Sequence, residues 1–224
     1  MSNSPLVEYV KLSPNHSGGR LHTIDRITPH CVVGQCTAET LGDVFSKPET
    51  MASSNYGIDR TGRIALYVPE NCRSWCSSSA ENDNRSITIE CASDSVAPYR
   101  MNDSVYSALV EICVDLCKRN GKSVLLWTSN KSLALSYEPK PHEMVLTVHR
   151  WFAAKDCPGE WLYSRLGALA ATVTRRLAEQ PNVSQKLYKV QVGAFKIRAN
   201  AERRLVQLQD AGYSDAFIVE VEQC

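Results

Sequence analysis

The 224-residue sequence predicts an α/β fold, and three observations carry that reading. Short β-rich segments recur through the first two-thirds of the chain. Two long amphipathic helices interrupt and follow them. Near residue 181 the pattern changes, and a separate β-α-β module follows.

The elements are read in chain order. Residues 6–12 alternate weakly as a first strand, and Ser13 to Gly19 reads as a loop. Arg26 to Val33 is β-rich and carries His30. Residues 34–54 combine a short helix over Ala38 to Val44 with a loop at Lys47-Pro48. Asn55 to Val68 reads as two strands about a turn at Arg60-Thr61-Gly62-Arg63. Ser86 to Ala92 is a strand with Ile87, Ile89 and Cys91 on one face and Thr88 and Glu90 on the other.

Asp103 to Arg119 is the strongest helix. Val105, Ala108, Leu109, Ile112, Cys113 and Leu116 repeat at helical spacing, Asn102 or Asp103 caps the start, and Gly121 closes it. On this reading Cys113 and Cys117 are core residues. Met144 to Val148 leans β and leads into His149. Glu160 to Glu179 reads as one helix with a stripe of Leu162, Leu166, Leu169, Val173 and Leu177, stopped by Pro181. Beyond it, residues 180–186 are linker-like. Tyr188 to Val192 alternates as a strand, Arg198 to Ala211 reads as a helix with Ala201, Leu205 and Leu208 inward, and Phe217 to Val221 alternates again. The domains are thus 1–179, a linker over 180–186, and a module over 187–224.

Composition narrows the function. Hydrophobic residues at 43% and charged residues at 22% fit a globular chain and argue against wholesale disorder. Lys+Arg at 25 against Asp+Glu at 24 lacks the basic excess of a nucleic-acid binder. No apolar run approaches the ~18 residues that would insert in a membrane. The N-terminal Met1-Ser2-Asn3-Ser4-Pro5 does not read as a Sec signal peptide, so the chain reads as made in the cytoplasm. The nine cysteines are then mostly free thiols, and an odd count leaves at least one unpaired unless it binds metal or another chain.

The chemistry concentrates in His149-Arg-Trp-Phe-Ala-Ala-Lys155-Asp-Cys157-Pro-Gly159. A histidine and a cysteine eight residues apart can converge on one metal across a turn, and imidazole and thiolate both suit zinc. His30, set in a β-rich segment, is the candidate third ligand. Two His and one Cys leave a fourth tetrahedral position open, the layout of a catalytic rather than structural zinc. Spacing alone leaves a structural role for each residue open. Cys72 and Cys76, in a polar segment, stand as a lesser candidate site.

The same stretch, Val148-His149-Arg150-Trp151-Phe152 through Lys155-Asp156-Cys157-Pro158-Gly159, resembles the C-terminal motif of zinc-dependent N-acetylmuramoyl-L-alanine amidases, the family shared by phage lysozyme-type amidases and peptidoglycan recognition proteins. Ile27-Thr28-Pro29-His30, Ser54-Asn55-Tyr56-Gly57-Ile58-Asp59 with Thr61-Gly62, and Asn84-Arg85-Ser86-Ile87-Thr88-Ile89-Glu90 match in the same order, over roughly residues 20–178.

The resemblance implies a mixed β-sheet flanked by helices, with His30, His149 and Cys157 as zinc ligands. It implies cleavage of the amide between N-acetylmuramic acid and the L-alanine of the stem peptide. Tyr56 matches a tyrosine near the zinc in relatives and is expected to stabilise the oxyanion. Glu90, on the strand face opposite Ile87 and Ile89, is the expected general base. Lys155 offsets the electrophilicity that a thiolate ligand takes from zinc, by stabilising the oxyanion. The alternative is a recognition protein that binds peptidoglycan without cutting it; such members typically lack the cysteine ligand.

The tail, Tyr188-Lys-Val-Gln-Val-Gly-Ala-Phe195 with Asn200-Ala201 and Ala211-Gly212-Tyr213, resembles a sporulation-related (SPOR) peptidoglycan-binding repeat. That family's full fold holds two β-α-β units, and only one is read here. The expectation is a homodimer in which two tails complete one sheet. With no signal peptide read, the whole suggests a phage or prophage endolysin, or an autolysin exported by another route, acting on bacterial peptidoglycan.

Overall fold

The structure is a computed structural model, and it describes residues 3–179 and 191–220. The chain divides into two compact units, Met1–Pro181 and Asn182–Cys224.

The first unit is built on a seven-stranded sheet among the described residues. Its strands are β1 (Val7–Val10), β3 (Arg26–Cys31), β4 (Tyr56–Ile58), β5 (Ile64–Leu66), β7 (Ser86–Cys91), β8 (Val124–Leu126) and β9 (Glu143–Leu146). Their order is β1-β5-β4-β7-β3-β9-β8, and every pairing is parallel except β4 with β5. The expected mixed sheet flanked by helices is therefore present. A second, two-stranded sheet pairs β2 (His16–Gly19) with β6 (Cys72–Ser74), antiparallel.

The central strands β3 and β7 are buried on both faces, as parallel strands between two layers must be. One face carries Ile27, Ile87, Ile89, Cys91, Tyr56 and Ile58. It packs on α3 (Asp103–Arg119) and α6 (Leu166–Ala178). The other face is covered in part by α1 (Ala38–Phe45), through Ala38, Leu41 and Phe45 against Ala65 and Tyr67. Asn102 caps α3 by accepting from Val105 N at 3.0 Å, and Lys118 and Arg119 in its last turn favour the helix dipole.

Pro29 shapes the sheet where it matters. Along β3, residues two apart direct their backbone groups to the same neighbour. Ile27 O accepts from Thr147 N at 3.0 Å on the β9 side. Pro29 has no N–H to continue that ladder, so β9 pairs only with Arg26 and Ile27. The chain is then free to turn away after Leu146 and deliver His149.

Several readings need correction. Ser13 to Gly19 is not all loop, since His16–Gly19 forms β2; its partner β6 and the strand β8 are three residues long, too short for alternation to register. The helices α2 (Ala80–Arg85) and α4 (Lys131–Ser136) are single short stretches held by the caps Ser79 and Asn130. The single helix over Glu160 to Glu179 is two, α5 (Gly159–Tyr163) and α6. At the break Arg165 Nη1 donates to Trp161 O at 2.9 Å, taking the carbonyl that the helical ladder would use. Arg165 N bonds Leu162 O instead. The guanidinium also lies over the Trp161 ring, 4.3 Å from its centroid.

In the second unit, α7 (Arg198–Asp210) stands where a helix was read, with Ala201, Leu205 and Leu208 half-buried. Phe217 to Glu220 form no strand, so this side of the expected β-α-β module is absent among the described residues. Of the other expected strand, 188–190 lie outside the described residues, and Gln191 and Val192 are not in a strand. No helix among the described residues is long and apolar enough to cross a membrane.

Candidate metal centre

The parallel strands β3 and β7 end together and set the site, the position at which α/β sheets commonly place their chemistry. β3 and β7 pair in register, His30 with Glu90 and Thr28 with Thr88. Paired residues of a parallel ladder share a face, so the imidazole and the carboxylate stand side by side, one residue short of each strand's end. His149 follows β9 on a short 3₁₀ turn, His149–Trp151. Cys157 is folded back beside it, because Arg150 N donates to Cys157 O at 3.0 Å and Arg150 Nη2 to Asp156 O at 2.6 Å. Gly159 locks the segment in place. Its φ is +81°, and a Cβ there would lie 2.9 Å from Pro98 O.

These elements bring His30, His149 and Cys157 together. Their donor atoms all lie within 4.8 Å of one another. Cys157 Sγ is 3.2 Å from His30 Nδ1, and the two imidazole centroids are 5.0 Å apart. A second set overlaps the first, His30 with Cys76 and Glu90, again within 4.8 Å. Glu90 Oε1 is 3.8 Å from His30 Nδ1 and 3.8 Å from Cys76 Sγ.

The electrostatics suit a cation. His30 is fully buried, and burial, with a lesser push from His149, lowers its pKa to about 3, leaving a neutral ring with a free lone pair. Burial and then the Lys155 charge lower His149 as well. The Cys157 thiol is pushed far up, first by its hydrogen bond with Cys31, then by burial and the Glu90 charge. Burial raises Glu90 to about 7, partly offset by the Cys76 thiol. His30 Nε2 and Glu90 Oε2 are buried with no hydrogen-bond partner among the described residues. A divalent cation reverses this logic, because it holds a thiolate and neutral imidazoles directly. The donor set therefore fits zinc.

Below the site the same sheet face is polar but satisfied. Thr28 Oγ1 lies 2.8 Å from Thr147 Oγ1 and accepts from Asn82 Nδ2 at 3.0 Å. Thr88 Oγ1 lies 2.7 Å from Ser74 Oγ and accepts from Asn55 N at 3.0 Å. Each of these hydroxyls is buried, and each would be costly without its partner.

Residues 20–160 match the family model of N-acetylmuramoyl-L-alanine amidases. The chain belongs to this family. It is an enzyme of a zinc-dependent amidase class, and residues 160–221 match the SPOR domain. That second match takes in α5 and α6, which belong to the first unit. Among solved structures, a selenomethionine derivative of AmpD aligns with a TM-score of 0.51 at 20% identity, covering 72% of this chain and 93% of that one. PlyL aligns at 0.50 and 18%, covering 74% and 95%. At these identities the likeness concerns the fold. No curated protein matches by sequence.

The amidase places the six predicted site residues unequally. His30, His149, Cys157 and Glu90 converge. Lys155 is exposed, but its charge reaches the His149 ring. Tyr56 does not join them. It pairs with Ile89, so strand parity sends it to the opposite sheet face from Glu90. There its hydroxyl donates to Glu70 Oε1 and accepts from Ser4 N at 2.9 Å, while Arg119 Nη1 bonds Glu70 at 3.0 Å. Burial, then Glu70, raises its pKa far above the usual range. Tyr56 is a structural tyrosine, and the oxyanion role assigned to it is withdrawn.

The sequence pairs Cys76 with Cys72 as a lesser candidate site and does not single out Ser78; the structure instead groups Cys76 with His30 and Glu90. Cys76 Sγ reaches Glu90, whereas Cys72 Sγ turns to Asn71 at 3.7 Å and does not take part. Ser78 Oγ lies 2.9 Å from His149 Nε2. Both sit on a loop whose only sequence signal is the Ser79 cap of a short polar helix.

Proposed function

We propose that this amidase hydrolyses the bond between the lactyl group of N-acetylmuramic acid and the L-alanine of the peptidoglycan stem peptide, with one zinc at His30, His149 and Cys157. The observation that carries the reading is the convergence of two imidazoles and a thiol beside a carboxylate with one unpartnered oxygen. Zinc, when bound, supplies a Lewis acid that polarises the carbonyl and makes water acidic enough to attack near neutral pH.

The chain's own residues do the rest. Glu90 accepts the proton of the attacking water at Oε2 and returns it to the amide nitrogen as the C–N bond breaks. Lys155 sets its charge beside the developing oxyanion. Cys157 disfavours the alternative of a recognition protein that binds without cutting.

The finer parts of the reading concern assembly and origin. The second unit exposes Phe195, Ile197, Val206, Tyr213, Phe217 and Val219, apolar side chains that a second copy of the tail would cover. A homodimer would also join two wall contacts and raise avidity. An amidase joined to a peptidoglycan-binding tail fits an endolysin of a phage or prophage, made in the cytoplasm and reaching the wall at lysis or by another export route.

The test is digestion of purified peptidoglycan followed by mass spectrometry. Free stem peptides beginning in alanine, with intact glycan strands and loss of release under a chelator, are expected. Cut glycan or cut stem peptides overturn the assigned bond. Light scattering under reducing conditions should give a dimer for the full chain and a monomer for residues 1–180; a monomeric full chain overturns the dimer.

A further inference from the structure

His30 and His149 are held very differently. His30 sits inside a central strand, fully buried, with its Nδ1 3.2 Å from Cys157 Sγ. His149 is only half-buried and stands on a three-residue 3₁₀ turn. Its ring needs an external hold, and the structure offers one at 2.9 Å, the Ser78 hydroxyl at Nε2.

Ser78 is itself fixed with care. The Asp83 carboxylate accepts from Cys76 N at 3.1 Å and from Ser77 N at 3.1 Å. Asn82 Nδ2 donates to Ser77 Oγ at 3.2 Å, and Ser79 caps α2 by accepting from Asn82 N at 3.2 Å. Upstream, Trp75 N donates to Ser53 Oγ at 3.1 Å. The loop is thus tied on both sides of Ser78. Ser78 adopts φ +63°, a left-handed conformation that glycine or asparagine takes more easily. Strain of this kind persists where the surroundings impose it and often marks a functional position. What serine supplies here and glycine lacks is the hydroxyl.

We propose that Ser78 is a positioning residue for the metal centre: with zinc bound it accepts a hydrogen bond from His149 Nε2–H and so fixes the ring angle that presents Nδ1 as the donor. The inference rests on the zinc reading above. A neutral imidazole carries its proton on one nitrogen, and only the other can donate to a cation. The hydroxyl can play either part toward Nε2. Once Nδ1 faces a cation, the proton must stay on Nε2, and Ser78 then accepts it. Outer partners of this kind typically change metal affinity by ~10–100-fold.

The experiment uses the full-length chain with Ser78→Gly and Ser78→Ala. Zinc affinity is measured by competition with a chromogenic chelator, and thermal stability on the metal-free proteins. Ser78→Gly removes the hydroxyl and relieves the left-handed backbone, so its metal-free Tm should match or exceed the wild type while its zinc affinity falls ~10–100-fold. Ser78→Ala should lose affinity to the same degree. 1H–15N spectra of the zinc-loaded chain should show the His149 Nε2–H proton protected from solvent exchange in the wild type and less protected in Ser78→Gly. Zinc binding by Ser78→Gly equal to wild type, or a His149 Nε2–H that exchanges equally fast in both zinc-loaded proteins, overturns the proposal. A wild-type chain that binds no zinc overturns the underlying metal reading instead, before any variant is compared.

Discussion

The two faces of the β3–β7 pair are made from alternate residues of the same short strands, yet they do opposite work. Ile27, Ile87, Ile89 and Cys91 face α3 and α6 and exclude water. Thr28, Thr88, His30 and Glu90 face the other way and are equally hidden or nearly so. The apolar face gains from burial itself, at about 1.5–3 kcal/mol for each large side chain. The polar face is tolerable only where partners exist. Toward the strand starts, Thr28 and Thr88 have full sets of partners. At the strand ends, His30 Nε2 and Glu90 Oε2 have none among the described residues. The contrast teaches that the site lies where the satisfied network stops, and that its unsatisfied atoms are held in place by the stability of the opposite face.

Glu90→Ala should test that contrast most severely. Turnover on peptidoglycan should fall ~10²–10⁴-fold, the usual worth of a general base, with zinc content unchanged. Near-full activity would move the base elsewhere. Ile89→Ala, one residue away on the other face, should do the reverse. Urea unfolding should show a loss of about 2–5 kcal/mol, with zinc affinity intact wherever the protein remains folded.

Lys155→Ala should lower kcat by roughly 10- to 10²-fold with little change in KM, at or below the usual cost of losing one oxyanion donor, because the lysine is exposed. A change in KM alone would make it a substrate-binding residue. The smallest kinetic effect belongs to Tyr56→Phe. It should leave kcat unchanged and cost about 1–3 kcal/mol of stability, since it strips a buried Glu70 of one donor. A large fall in kcat with normal stability would return Tyr56 to the catalytic machinery.

Much of this was legible because alternation survives in strands of six residues. The face shared by Thr88 and Glu90 could be read from Ser86 to Ala92, and the ordered motifs placed His30, His149 and Cys157 in one neighbourhood. Tyr56 was misplaced because a motif match gives position in the chain but not strand parity. Its pairing with Ile89 rather than Glu90 depends on register, which tertiary contacts set. Cys76 and Ser78 lie on a loop stabilised by Asp83 and Asn82, and side-chain clamps of that kind leave no periodic trace in sequence. The break at Arg165 was hidden for a similar reason. The apolar stripe runs through it unbroken, and only the guanidinium's capture of Trp161 O reveals it.

Two overlapping donor sets share His30, and they differ in composition. X-ray absorption at the zinc edge of the full-length protein separates them most directly. The account predicts one zinc per chain with one sulfur at about 2.3 Å and two imidazole nitrogens at about 2.0–2.1 Å. The sulfur should vanish in Cys157→Ser and persist in Cys76→Ser. A single imidazole with carboxylate oxygen in its place, and a sulfur lost in Cys76→Ser, would put the metal at His30, Cys76 and Glu90 and contradict the account.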